Sequence, residues 1–233
     1  MVKIDRQKLL LSLNEKFSEN LSLCLPLAQE AYARVEVKAR AFAVLGQIIR
    51  EDINLTPSQR EILPIFEEVF ADVVLSIYFA GCALNRPAES ILRRALELGI
   101  AIVYLWDLPD EFWGWKAHDK DLNFNEMLEH LTRDCYRTYI KSLDTAYSGE
   151  DMFDEKETKR LYRTLSNTIH GKINTHIAQV PNRFKHDAAA WETNLDLIER
   201  VLIVLMDLSS KRFFKYFPKL QGKVPALSLR SKP

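Results

Sequence analysis

Four residues of this 233-residue chain combine types and spacing suited to chemistry: Arg163, Ser166, Asn167 and His170. In a helix turning by about 100° per residue, Arg163 and His170 lie seven steps, or about 700°, apart. They therefore fall within roughly 20° of each other, two turns apart along one face. Ser166 and Asn167 lie between them, three or four residues from each. Leu161, Leu165, Ile169 and Ile173 advance by four and make the stripe to be buried, with Tyr162 beside it. The polar strip is expected to point away from that stripe, into solvent or a second interface. A guanidinium holds phosphate and stabilises developing charge, and an imidazole moves protons near neutral pH. RNA carries its own nucleophile, the 2′-hydroxyl, so such a strip suits cleavage of a phosphodiester without a metal ion. One strip supplies a single histidine, and a second copy across a homodimer would complete the site. The same residues also read as a Ser166/His170 hydrogen-bond pair closing a helix end, with Gly171 as terminator.

The elements that must position this strip are helical. Glycine numbers only 7 in 233 residues, against a usual share of about 7%, which argues against a β-sandwich, a dinucleotide-binding domain or a phosphate-cradling loop. Helices are predicted from about Asp5 to Phe17 and from Pro26 to Asp52, the second carrying Leu27, Ala31, Val35, Ala39, Phe42 and Leu45 at three- and four-residue steps. Thr56-Pro57-Ser58-Gln59 has the pattern of a capped helix start, and that helix is expected to reach Leu84. The next runs from Pro87 to Trp106 and is apolar nearly all round from Ala95, which places it at the centre of a bundle. Further helices are expected from Asn125 to Tyr147, from Asp154 past His170, and from Asp187 to Tyr216. The fold class is therefore all-α: a bundle of six to seven mostly antiparallel helices over residues 1–217, followed by a flexible basic tail over 218–233.

Charge sums to zero, 32 basic against 32 acidic residues, but is unevenly spread. Residues 107–157 hold 6 Lys/Arg against 14 Asp/Glu; residues 158–187 hold 6 against one, with three of the five histidines; from Ser209 onward there are 7 and no acid. A basic stretch containing histidines is where an anionic partner binds; the plainer alternative is a set of solvated helix faces. Arg93, Arg94 and Glu97 sit one turn apart on the central helix and are read as a structural ion pair, because a carboxylate there needs a partner. Glu126 and His130 make one i, i+4 pair with no second such pair to build a metal site, so neither a metal nor a cofactor is expected. Trp113 and Trp115 are expected to fold back over the core. Cys24, Cys82 and Cys135 lack zinc-ligand spacing and read as core cysteines of a cytoplasmic protein. No apolar run approaches the roughly 18 residues of a membrane span.

With these residues in view, the chain resembles the HEPN superfamily, all-α proteins whose ribonucleases carry an arginine, four to six further residues and then a histidine. Arg163 and His170 have six between them. The wording Leu-Ser-x-x-x-His-Gly from Leu165 to Gly171, and Arg94-x-x-Glu97 on the preceding apolar helix, are similar to a broader group of HEPN-like bacterial proteins. The resemblance spans residues 89–208 in outline and about a dozen residues in motif. It implies a homodimeric endoribonuclease acting in antiviral defence or a toxin-like role, with Arg163 on phosphate, His170 transferring protons, and Asn167 or Ser166 orienting one or the other. Thr164 stands where catalytic members usually carry a polar residue such as asparagine. That departure favours a competing reading, a non-catalytic helical adaptor that binds nucleic acid or a protein partner. A third reading is a small-molecule sensor with its pocket beside Glu97 and the tryptophans.

Overall fold

Asn85–Asp107 forms the helix around which the rest is arranged. Ala95, Leu96 and every residue from Gly99 to Trp106 are buried, because side chains at all angles of this segment are apolar and need neighbours on all sides. The structure, a computed structural model, describes residues 6–169 and 184–227. In chain order the α-helices are α1 (Arg6–Cys24), α2 (Gln29–Arg50), α3 (Pro57–Ile62), α4 (Pro64–Gly81), α5 (Asn85–Asp107), α6 (Pro109–Lys116), α7 (Phe124–Thr132), α8 (Asp134–Leu143), α9 (Glu155–Ile169), α10 (Ala188–Arg212) and α11 (Phe217–Lys223). A 3-10 turn over Phe214–Tyr216 joins the last two. No strand occurs among the described residues, and α5 touches α3, α4, α6, α7, α9 and α10.

Helices outnumber the six or seven expected because several apparently continuous periodic stretches break. Pro64 has no N–H to continue α3 and opens α4 instead. Arg133 adopts extended backbone (φ −65°, ψ 145°), which divides the stretch expected from Asn125 to Tyr147 into α7 and α8. Ala28 sits in the left-handed region (φ 50°), so α2 begins at Gln29 rather than Pro26, while α1 runs on to Cys24 instead of stopping at Phe17. The capping box at Thr56 forms as its sequence predicts: Gln59 N–H donates to the Thr56 hydroxyl at 3.3 Å, and Thr56 N–H donates to Gln59 Oε1 at 3.1 Å.

Neighbours in sequence pack antiparallel. Arg50 of α2 meets Glu67 of α4, and Ser76 and Asp72 of α4 meet Ala88 and Arg94 of α5. In contrast, α10 runs parallel to both α2 and α5. Along α2, Arg34 pairs with Glu199 and Asp52 with Lys215; along α5, Asn85 meets Asn194 and Asp107 meets Arg212. The chain returns to the start of the bundle through α6–α9 before α10 begins, so the long last helix repeats the direction of the central one. Helix α5 approaches α10 closely at Gly99, where an added Cβ would lie 2.5 Å from Leu205 Cδ2.

Where the sequence predicts a tail from residue 218, Leu220, Val224 and Leu227 are buried with Phe217 in the same core as α5 and α10. Residues 228–233 lie outside the described residues. The cysteines are not all core residues. Cys24 and Cys82 are buried, but Cys135 is exposed near the start of α8. Among the described residues, no helix is long and apolar enough to cross a membrane.

Candidate functional site

Helix α9 is anchored by its buried face before its exposed face is available to anything else. Asp154 accepts from Glu157 N–H at 2.9 Å and begins the helix. Thr158, Leu161 and Leu165 are fully buried against the core. Beside them Tyr162 stacks on Phe124 of α7, ring centroids 3.8 Å apart and planes 9° from parallel. The Arg93 guanidinium lies 4.8 Å from the Tyr162 ring centroid, donates to the Tyr162 hydroxyl at 2.7 Å, and pairs with Glu97 at 3.0 Å. Arg93 and Glu97 are therefore an ion pair within α5 that also clamps α9. Arg94 turns the other way, donating to Asp72 at 2.7 Å and Glu68 at 2.8 Å on α4. Burial pushes the Asp72 carboxyl above its usual range, with Arg94 opposing the shift and Glu68 adding to it.

The exposed face of α9 is basic. Lys156, Lys159, Arg160 and Arg163 occupy positions i, i+3, i+4 and i+7 and are all exposed, so they share one stripe. Lys159 pairs with Glu155 and Arg160 with Glu157. Arg163 has no ion pair among the described residues, so its guanidinium is open to an external anion. At the opposite end of α9 the charge reverses. Glu150, Asp151, Asp154, Glu155 and Asp207 line a groove of about 540 Å³ with Lys156 and Lys211.

The candidate strip comes together only in part. Arg163 points outward as its spacing predicts. Ser166 does not: it is half-buried, and its hydroxyl donates to the Tyr162 carbonyl at 2.6 Å. Ser166 lies four residues after Tyr162, so it shares the side of α9 that Tyr162 brings against α5 and α7, and its proton is committed to the backbone. Asn167 is also half-buried. His170 and the Ile173 position of the expected apolar stripe lie outside the described residues, as does Gly171.

Other expected sites separate similarly. Trp115 packs against the core, whereas Trp113 is 46% exposed with Lys116 Nζ 5.2 Å from its ring centroid. His130 lies between the Tyr104 and Tyr136 rings, at 5.3 and 5.2 Å. Burial, and then the nearby Arg133, lower its pKa. Among the described residues, no group of three His, Cys, Asp or Glu side chains is placed to hold a metal ion.

One constellation escapes the sequence reading. Asp107, at the end of α5, receives a two-pronged salt bridge from Arg212 of α10 and hydrogen bonds from Tyr136 (2.8 Å) and Tyr139 (3.2 Å) of α8. Its side chain is 5% exposed and that of Arg212 12%. Burial raises the Tyr136 phenol well above its ordinary value, with the Asp107 charge adding to the effect. The available signal was Asp107 itself, a carboxylate closing a nine-residue apolar run. No family model matches the chain, and neither a curated protein nor a solved structure matches it.

Proposed function

We propose that this chain is an HEPN-like helical protein that binds RNA along the exposed face of α9 and cleaves it without a metal ion. The observation that carries the reading is Arg163: an exposed guanidinium in a basic stripe, with no carboxylate partner among the described residues. Arg93, Arg94 and Arg212, by contrast, are each paired with a carboxylate. In this reading Arg163 holds a phosphate and stabilises the charge developing on it. His170 takes the proton of the 2′-hydroxyl, which attacks phosphorus as the bond to the 5′ oxygen breaks, leaving a cyclic phosphate. A second protomer of a homodimer supplies the other histidine, which protonates the leaving oxygen. Asn167 orients the phosphate or the imidazole; Ser166, with its proton on the Tyr162 carbonyl, has only a lone pair to contribute.

Incubating the full chain with single-stranded RNA in excess chelator tests this. Cleavage to cyclic phosphate ends, lost in both Arg163→Ala and His170→Ala, is the expected result. Cleavage that persists in either variant overturns the assigned roles. The commitment of Ser166 and the presence of Thr164 favour a second reading, a non-catalytic adaptor that holds RNA on the same face. It predicts RNA binding that depends on Arg163, with intact RNA at every pH between about 5 and 8.

A further inference from the structure

A cavity of about 250 Å³ lies where the end of α5, the turn after α2, the end of α8 and the segment after α10 converge. None of its lining residues belongs to α9. Its floor includes Trp106 and Phe213, 5% and 1% exposed, whose rings meet edge-on at 5.0 Å and 84°. Leu143, 43% exposed, stands at the mouth.

The polar groups around this space are unequally satisfied. Every acceptor charge is occupied. Asp52 accepts from Lys215 at 2.8 Å, Tyr216 at 2.7 Å and Asn54 N–H at 2.9 Å, and Asp107, behind Arg212, is held by that guanidinium and two tyrosines. Donors are left over. Arg212 spends Nε and Nη2 on Asp107 and also lies within hydrogen-bonding reach of Tyr139, and no bond from its Nη1 is formed among the described residues. The Trp106 indole N–H has none either, and neither atom is among the buried polar atoms sealed away without a partner. Gln59 uses Oε1 on the Thr56 N–H, which leaves its amide hydrogens over. A ligand that displaces water from this space must accept from these donors in its place, and so must present lone pairs. It need not carry charge, because Arg212 and Lys215 are already neutralised by Asp107 and Asp52.

We propose that this cavity binds a neutral, flat heteroaromatic molecule of nucleoside size, its acceptor edge on Trp106 Nε1–H and Arg212 Nη1 and its ring against the aromatic and aliphatic walls. The volume of about 250 Å³ sits just below the range of about 300–1,000 Å³ typical of drug-sized ligands, and the lining mixes apolar walls from Leu55, Trp106, Leu143, Phe213 and Phe214 with polar groups, the charged ones already paired. The four common ribonucleosides combine flat rings, carbonyl or ring-nitrogen acceptors and no net charge.

Isothermal titration of the full chain with adenosine, guanosine, cytidine and uridine tests the proposal, with benzoate as the anionic probe. At least one nucleoside is expected to bind, and more tightly than benzoate. Trp106→Phe keeps an aromatic ring, removes the N–H, and weakens that binding about tenfold. Leu143→Trp, at the half-exposed mouth, fills the cavity and abolishes binding while thermal unfolding stays unchanged, so the test holds even if Trp106→Phe fails to fold. The proposal is overturned if no nucleoside binds, if benzoate binds more tightly, or if nucleoside binding survives Leu143→Trp. RNA binding along α9 is expected to persist in Leu143→Trp, so failure here is distinguishable from failure of the RNA reading.

Discussion

Arg212 and Arg163 each lie on a helix packed against α5, yet they are in opposite electrostatic situations. Arg212 reaches inward from α10 to a nearly buried carboxylate that also accepts from two tyrosines. Arg163 reaches outward from α9 and has no acid partner among the described residues. Desolvation makes the difference. A guanidinium removed from water must be matched within the fold, whereas a solvated one is stable alone and remains available to a phosphate. Arginine content therefore says little about function until burial is known, and the contrast between these two sites is what experiments can sharpen.

The largest expected effect is at the buried site. Asp107→Ala leaves Arg212 without a counter-charge and the Tyr136 hydroxyl without its acceptor, and is expected to destabilise the fold by about 3–5 kcal/mol, measured by urea denaturation. A loss below about 1 kcal/mol would show that Arg212 reaches water as freely as Arg163 does. Next comes the seam that joins the two sites to a common core. Gly99→Ala drives a methyl group into the buried Leu205 side chain, 2.5 Å from Cδ2, and costs about 1–3 kcal/mol in the same assay.

Arg163→Ala is the counterpart of Asp107→Ala. Stability is expected to move by less than about 0.5 kcal/mol, while RNA affinity falls and the salt dependence of binding loses about 0.7 of one counterion. Fluorescence anisotropy across a salt series measures both. Unfolding of this variant at lower denaturant, with unchanged RNA affinity, would move Arg163 into the structural class with Arg212.

A smaller effect concerns His130, which faces Tyr104, Tyr136, Arg133, Asp107 and Glu111. Burial lowers its folded-state pKa, so below the unfolded value of about 6.5 the unfolded chain binds more protons and stability falls as pH falls. His130→Gln is expected to shallow that decline, read from unfolding midpoints at a series of pH values; an unchanged slope would assign the decline to other groups. Smallest of all, Cys135 alone among the three cysteines is expected to react rapidly with a thiol reagent in the native state. Burial raises the Cys24 thiol to about 11 and also raises Cys82. Fast labelling of Cys135→Ser would contradict this.

Much of the fold is legible in particular residues. The apolar run through α5 places that helix at the centre, and the Thr56 box marks the start of α3, because both are local: a run with no polar face and a cap completed within four residues. Helix breaks are less legible, since Arg133 and Ala28 occupy backbone regions that their side chains do not announce. At the candidate site, the spacing of Leu161 and Leu165 correctly turns Arg163 outward. It does not show that Ser166 is half-buried with its hydroxyl on the Tyr162 carbonyl, because how far burial extends around α9 depends on the helices packed beside it. The end of the bundle is illegible for a related reason: four apolar residues spread over 217–227 make no periodic pattern, and only the core they enter gives them a place.

By itself the sequence determined the helical class, the central element and the outward direction of Arg163, since periodicity and composition act through neighbours along the chain. Tertiary structure alone decided that α10 runs parallel to α5, that Arg212 closes on Asp107, and that a cavity with unspent donors lies beside them. Each of these joins residues about a hundred positions apart, and burial, which gives a charge or an N–H its energetic meaning, exists only once those segments have met.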